Sequence, residues 1–205
     1  ATTLPRAFNA YIEGLGTLWK DDPDTLRVEV SKREKTEEAI ALFESAVAID
    51  PAYALAHGAL GEALVESYEP PDDQLRLPRA AAAALASSLD GRLASPHFTM
   101  GRIHRLRHEY DEARVELNLA LEIDPLHLPA RCELALLGVD LDDTESAESV
   151  YLEAIGLREK HWWCYYKLAI FYHDTGRDSQ AIEWLTRASE VAPDNPDMYS
   201  ALGVI

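Results

Sequence analysis

The sequence predicts an all-α fold, an α-solenoid of antiparallel helix pairs, because small residues recur at a constant interval of 34 residues. Two alanine positions, seven residues apart, recur at this step. The first position holds Ala113, Ala147 and Ala181, and the second holds Ala120, Ala154 and Ala188. A further series, each member preceded by Met or Leu, keeps the same step at Gly101, Ala135, Ala169 and Gly203. Such self-similarity is typical of stacked helical repeats, in which neighbouring units complete a core that one unit cannot cover alone.

The composition is that of a globular chain with a strongly acidic surface. The 205 residues are 47% hydrophobic and 27% charged, which provides enough apolar material for a continuous core. Nineteen Lys and Arg residues against 36 Asp and Glu residues give a formal charge of −17. Because this charge repels phosphate backbones, we expect no nucleic-acid partner. Cys132 and Cys164 are too few for a disulfide framework, and we expect free thiols.

The sequence carries no membrane or secretory signal. Its apolar runs are shorter than the roughly 18 residues that span a bilayer, so we expect no membrane insertion by this segment. We expect a cytoplasmic location, or an extracytoplasmic one if a longer parent chain has a membrane span. The missing initiator Met and the final Val204-Ile205 suggest a segment of a longer protein. An incomplete last repeat would expose an apolar edge, through which we expect self-association.

The first repeat is expected over residues 5–53, with an inserted loop near 21–35. Its first helix starts at a proline and has apolar residues at helical spacing, namely Phe8, Tyr11, Ile12, Leu15 and Leu18. Thr36 is the expected N-cap of the second helix, because its hydroxyl can accept from the first free N–H groups. Pro51 ends that helix, since proline disfavours the α conformation at the residue before it.

Four more repeats and a partial one are expected at 54–93, 94–127, 128–161, 162–195 and 196–205. The second has a Pro- and Asp-rich loop near 68–76, and its second helix is expected from Leu77 to Leu89, with Arg79 at the first alanine position. Gly176 marks the turn of the fifth repeat, because glycine adopts the conformations that tight turns require.

These positions resemble the tetratricopeptide repeat, whose first helix carries an aromatic residue, Leu-Gly and Tyr, and whose second carries Ala, a bulky residue, Ala and Pro. The second-helix pattern is read as Ala39, Phe43, Ala46 and Pro51, then Ala113, Leu117, Ala120 and Pro125, then Ala181, Leu185, Ala188 and Pro193. The aromatic position holds Phe8, His57, His97, Arg131, Tyr165 and Tyr199. The resemblance spans nearly the whole chain and departs from the pattern at Arg79, Gly91, Gly138 and Glu159.

The resemblance implies a right-handed superhelix whose first helices line a concave groove that binds a peptide or protein segment. The candidate groove residues are Phe98, Arg102, Arg105, Cys132, Trp163, Tyr166, Lys167 and Ile170. Aromatic residues and Arg are frequent interface anchors, and this set suits a peptide with apolar and acidic groups. The alternative is that Trp162 and Trp163 fill space at the junction with the fourth repeat, which lacks its proline.

The carboxylate clamp of the family, built from Lys, Asn and Arg, is not reproduced. The corresponding positions hold Gly58, Glu62, Thr99, Pro129 and Glu133, so we expect no receptor for chaperone tails. Residues 10–14 and 41–56 also resemble repeat regions of bacterial Ser/Thr kinases and nucleotide cyclases. This second resemblance leaves open a regulatory or sensory module of a larger signalling protein.

We expect neither an enzyme nor a metal or cofactor site. His104 and His108 stand four residues apart, but a third ligand in a zincin-like arrangement is missing from their helix. His161 and Cys164 are close in sequence, yet nothing marks an orienting group for a nucleophile. The sequence has no G-x-S-x-G motif and no Gly-rich phosphate loop after a strand.

Overall fold

The computed structural model describes residues 3–19, 28–68, 75–88, 90–157, 162–193 and 201, and these residues form helices and turns without a β-strand. The helices are α1 (Thr3–Trp19), α2 (Val28–Ile49), α3 (Ala54–Glu66), α4 (Arg76–Ser87), α5 (Ser95–Leu106), α6 (Tyr110–Ile123), α7 (Leu128–Asp140), α8 (Thr144–Leu157), α9 (Trp162–Asp174) and α10 (Asp178–Val191). They pair in chain order, α1 with α2 through α9 with α10. The predicted all-α repeat array is confirmed.

The chain divides into two compact units, Ala1–Asp124 and Pro125–Ile205. The first unit contains α1 to α6, and within it α3 packs against α2, α4 and α5. The second unit contains α7 to α10, and within it α9 packs against α7, α8 and α10. We refer to the first helix of each pair as the A helix and to the second as the B helix.

The repeated alanines form the close contacts within the pairs. All six alanines of the two 34-residue series are buried, and the bulky residues between them, Leu117, Tyr151 and Leu185, are also buried. An added Cβ at Gly101 would lie 2.6 Å from Cγ of Leu117, and one at Gly14 would lie 2.6 Å from Cε1 of Phe43. Glycine at these A-helix positions therefore lets a large B-helix side chain approach the backbone.

The turns between A and B helices repeat with the same step. His108, Asp142 and Gly176 have φ values of 62°, 59° and 73°, and they are 34 residues apart. The residue after each of them donates its backbone N–H to the carbonyl oxygen five residues earlier, in the last turn of the preceding helix. The N–H of Glu109, for example, donates to the carbonyl of His104 at 2.9 Å. This pattern is a left-handed C-terminal cap that satisfies free carbonyl groups. Gly176 was the expected turn residue, whereas His108 and Asp142 adopt the same conformation without being glycine.

In the second B helix, the residue predicted at the first alanine position was wrong by one. Arg79 is exposed and forms an ion pair with Glu44, whereas Ala80 and Ser87 are fully buried. Ala80 and Ser87 are seven residues apart, so they take the places that paired alanines hold in the other repeats. The run of alanines in this helix allowed several registers, and only packing against α3 selected one.

The helix predicted at the N-terminus is present, but its buried face differs from the prediction. Small residues of α1, including Ala7, Ala10 and Gly14, face α2, while Phe8 is 53% exposed and Ile12 is 46% exposed. Small residues permit the close approach that the Phe43 ring requires. The row Phe8, Ile12, Leu15 and Leu18, named here the α1 apolar row, is therefore exposed or half-buried.

The first B helix begins earlier than predicted. α2 starts at Val28, and Thr36 is a buried residue within it and not an N-cap. Lys, Arg and Glu have high helix propensity, so a charged stretch without apolar periodicity can still be helical. The remainder of the predicted loop near 21–35 lies outside the described residues. So do most of the loop near 68–76 and all of the partial repeat 196–205 except Ala201.

Candidate functional site

The predicted groove residues lie on A helices of both compact units. Phe98, Arg102 and Arg105 are on α5 of the first unit. Cys132 on α7 and Trp163, Tyr166, Lys167 and Ile170 on α9 belong to the second unit. The two groups are considered separately, and the groove that would join them stays a prediction.

In the first unit, Arg102 organises its neighbours on α3 and α5. Its guanidinium carbon lies 5.7 Å from the centroid of the Phe98 ring, and its Nη2 lies 3.2 Å from Oε2 of Glu66. Phe98 is only 6% exposed, so its ring supports Arg102 and offers little surface to a ligand. Arg105 is half-buried one turn further along α5. The positive charge of Arg102 is thus partly balanced within the protein.

In the second unit, four predicted residues follow one face of α9 and all are half-buried. Lys167 places its Nζ 5.3 Å from the centroid of the Trp163 ring, and Tyr166 packs edge-on to Trp162 at 6.2 Å. Trp163 also packs against the core of this unit, while Trp162 packs against a smaller cluster that contains Leu185. Both tryptophans therefore contribute to packing and keep part of their surface open to solvent.

Cys132 belongs to the interior more than to a surface. It is 3% exposed, and burial raises the pKa of its thiol to about 12, with Cys164 adding to the rise and Lys167 opposing it. Both cysteines are buried free thiols, as predicted. A neutral, buried thiol is a poor nucleophile and a poor metal ligand.

The places that correspond to the carboxylate clamp are mostly closed. Gly58, Thr99 and Glu133 are buried, and Pro129 is exposed. Glu62 is half-buried, and burial raises its pKa against the opposing effects of a hydrogen bond from Ser95 and the charge of Arg102. The sequence analysis did not include Glu62 among the groove residues. The burial of this carboxylate results from the packing of α3 against α5, which the sequence alone does not show.

The α1 apolar row is a second feature that the sequence analysis assigned elsewhere. Its members were read as the buried stripe of α1, although a competing stripe of small residues, Ala7, Ala10 and Gly14, was visible in the sequence. Tyr11 lies between the two faces, with its ring 5.3 Å from Tyr53 and 6.1 Å from Phe43. Phe8, Ile12 and Leu18 of this row add exposed apolar surface to the first unit.

The histidines considered for metal binding have carboxylate or hydroxyl partners. Nδ1 of His104 lies 2.6 Å from Glu109, and Nδ1 of His108 lies 2.8 Å from the hydroxyl of Tyr110. Across the part of the chain that the structure describes, no group of three or more His, Cys, Asp or Glu residues is arranged to hold a metal ion. His161 lies outside the described residues.

Residues 138–205 match the family model for the tetratricopeptide repeat. This match covers the last 68 residues, about a third of the chain. A thermophilic tetratricopeptide protein of Thermus thermophilus superposes with a TM-score of 0.74 at 18% identity, over 96% of this chain and 98% of that one. YrrB, described as a tetratricopeptide protein with an unusual peptide-binding site, gives a TM-score of 0.50 at 18% identity, over 85% of this chain and 87% of that one.

Two further similarities of the chain involve proteins of the anaphase-promoting complex. A stretch of 100 residues is 27% identical to anaphase-promoting complex subunit 3 of Schizosaccharomyces pombe; it covers 49% of this chain and 15% of that protein. A chain in the Cut9–Hcn1 structure of the same complex superposes with a TM-score of 0.63 at 14% identity, over 98% of this chain and 40% of that one. At these identities the structural likenesses establish a shared fold.

None of the described helices is long and apolar enough to cross a membrane.

Proposed function

We propose that the protein is a scaffold for protein–protein interaction that binds a peptide or protein segment along its A helices. The observation that carries this proposal is the face of α9, where Trp163, Tyr166, Lys167 and Ile170 stand half-buried at helical spacing. Anchored aromatic side chains lose little conformational entropy when a partner covers them, which is why they are frequent binding anchors. The relatives described as peptide-binding or as subunits of a complex support the same class of function.

The chemistry of this face defines the expected ligand. Apolar ligand side chains would cover Trp163 and Tyr166, and an acidic group would approach Lys167, whose ammonium already lies over the Trp163 ring. A cation held at an aromatic face keeps a fixed position, so it can select the register of the ligand. No catalytic step is required of any of these residues.

Phage-displayed random dodecapeptides, panned against the immobilised chain, test the proposal. The double variant Trp163→Ala/Tyr166→Ala should lose at least tenfold in affinity for the enriched peptides. The matched control is Val115→Ala/Ile182→Ala, which truncates two exposed apolar residues on B helices and should bind as the parent does. Circular dichroism of all three proteins should show the same helix content.

Two results would count against this function. Equal binding by the Trp163 and Tyr166 variant would remove α9 from the binding surface. Lost helix content in that variant would show that both side chains serve the core, which is the alternative reading of the Trp162-Trp163 junction.

A regulatory or sensory module of a bacterial kinase or cyclase is the second hypothesis for the same fold. It rests on the resemblance of residues 10–14 and 41–56 to repeat regions in such proteins. The sequence of the parent gene tests it: an adjoining kinase, cyclase or DNA-binding domain supports the hypothesis, and their absence from the complete reading frame rejects it.

A further inference from the structure

Glu62 is a half-buried carboxylate on α3 with little compensation from its surroundings. Ser95, at the start of α5, donates its hydroxyl hydrogen to Oε1 of Glu62. Among the described residues, this neutral hydroxyl is the hydrogen-bond donor to Glu62, and no Lys, Arg or His nitrogen lies within ion-pair distance of it. Removing a carboxylate from water without a cationic partner is costly, so such a group is a candidate for binding.

The nearest positive charge is shared with a second carboxylate. Glu66 stands one turn after Glu62 on α3, and Arg102 forms its ion pair with Glu66 at 3.2 Å. The charge of Arg102 also favours the ionised form of Glu62, although burial dominates and raises the pKa of Glu62. Arg102 therefore acts on Glu62 through its charge alone, whereas it forms a direct ion pair with Glu66.

The Glu62–Ser95 contact is fixed by backbone packing. An added Cβ at Gly58 would lie 3.0 Å from Oγ of Ser95 and 3.1 Å from Oγ of Ser87. A larger residue at this position would displace the Ser95 and Ser87 hydroxyl groups, so glycine favours the close approach of α5 to α3 that brings Ser95 against Glu62. The carboxylate therefore stays oriented before any ligand arrives, which lowers the entropic cost of binding.

Glu62 is also electrostatically coupled to α1. Burial raises the pKa of Tyr11, and Tyr53 and Glu62 contribute to that rise in this order. Tyr11 adjoins the α1 apolar row, where Phe8 and Ile12 are exposed. Tyr11 and Leu15 of α1 pack against the core cluster that also contains Leu60 and Ala63 of α3, so part of the α1 apolar row lies next to the segment of α3 that carries Glu62.

We propose that Glu62 receives a cationic group, the ammonium of Lys or the guanidinium of Arg, from a peptide segment whose apolar side chains contact the α1 apolar row. This inference rests on the proposed function and assigns a ligand chemistry to the first unit. The occupant is a basic and apolar segment because its charge complements Glu62, and because a cation recovers the interaction that Glu62 lost on leaving water. Ser95 acts as a positioning residue that holds the carboxylate.

The probe is the set of dodecapeptides that are enriched on the Trp163→Ala/Tyr166→Ala variant, because these peptides bind without the α9 face, and their affinity is then measured on the unmodified chain. They should carry Lys or Arg at a fixed spacing from apolar residues, and replacing that basic residue by norleucine should weaken binding at least tenfold. Glu62→Gln, which can still accept the Ser95 hydrogen bond, should weaken binding to the same extent. Peptides with norleucine should bind to Glu62→Gln no more weakly than they bind to the parent, since the two changes remove one interaction.

Two controls separate this inference from loss of fold and from the proposed function. Glu112→Gln removes the same charge from an exposed position on α6 and should leave the affinity unchanged. Raised salt should weaken binding to the parent more than binding to Glu62→Gln.

Each other outcome is decisive. If enriched peptides lack basic residues, or if Glu62→Gln binds them as the parent does, the inference is wrong, while dependence on Trp163 and Tyr166 preserves the proposed function. If no peptide is enriched on the parent, the proposed function and this inference both fail.

Discussion

Ser87 places a hydroxyl where the other repeats place a methyl group. It is 0% exposed, and its Oγ has no hydrogen-bond partner among the described residues. The equivalent residues of other B helices are Ala120, Ala154 and Ala188, all fully buried. A buried hydroxyl without a partner loses its hydrogen bonds to water and gains none in return.

Ser87→Ala should therefore stabilise the protein by about 1 kcal/mol, because it removes an unsatisfied polar group and raises helix propensity. Urea unfolding followed by circular dichroism measures the change. The reverse substitution, Ala120→Ser, should destabilise the fold by a similar amount. A destabilised Ser87→Ala protein would mean that the hydroxyl has a partner in solution.

Glu148 is the residue whose charge is most clearly tied to folding. Arg177 places Nη1 2.6 Å from its Oε2, and the Tyr172 hydroxyl donates to its Oε1 at 2.7 Å. Hydrogen bonds from Arg177 and Tyr172 lower its pKa below the ordinary value of 4.5. Burial, followed by the hydrogen bond to Glu148 and the charge of Glu148, raises the pKa of Tyr172 to about 12, while the charge of Arg177 opposes this rise.

A lowered carboxyl pKa stabilises the fold above pH 4.5, and this contribution is lost as the pH falls through the folded-state value. Glu148→Gln should cost about 1 kcal/mol at pH 7, since the pair is partly exposed to solvent, and the deficit should shrink as the pH falls below 4.5 and through the lowered folded-state pKa. Unfolding free energies at several pH values test this. Glu183→Gln, which breaks an exposed pair with Arg187, should change stability by less than about 0.5 kcal/mol. A deficit for Glu148→Gln that does not change with pH would contradict the assignment.

At the scale of the element, each helical hairpin closes through one residue in the left-handed conformation. His108, Asp142 and Gly176 share this conformation at 34-residue steps, although only Gly176 adopts it without steric cost. Asp and His visit this region more often than bulky residues do, which makes their use at a turn tolerable.

Asp142→Gly should stabilise the turn between α7 and α8 by about 0.5 kcal/mol, because it relieves the conformational penalty. Gly176→Ala is the converse substitution at the equivalent turn. No atom lies within 4 Å of the added Cβ, so the expected loss of stability, about 1 kcal/mol, comes from the positive φ of the residue alone. Thermal unfolding of both variants measures these shifts. A neutral Gly176→Ala would show that the turn adopts another conformation.

The elements also show why helix positions were easier to predict than helix faces. The bounds of α3 and α5 to α10 follow from a repeat step that prolines and turns reinforce. In α1, by contrast, two stripes competed, and the apolar one was assigned to the core. The large Phe43 ring on α2 decided otherwise, since it needs Gly14 and small neighbours opposite it. Hydrophobicity of one helix alone does not carry that information.

At the scale of the whole molecule, the acidic charge influences which partners the proposed binding surfaces can accept. A formal charge of −17 is spread over both units, so its effect on a partner depends on which carboxylates are already paired. Glu66 and Glu148 have ion-pair partners, and the pairing of Glu62 is left to a ligand in the proposal above. Arg102 and Lys167, two cationic residues of the predicted groove that lie over aromatic rings, are likewise engaged within their own units.

The sequence by itself determined the all-α repeat fold, the 34-residue step and the buried alanines, because contacts between neighbouring helices are local and small residues encode them directly. Tertiary structure alone decided that the α1 apolar row is exposed, that Ser87 takes an alanine position, and that Glu62 is desolvated. These three properties depend on the partner helix, whose side-chain volumes and distances are set only when the helices pack.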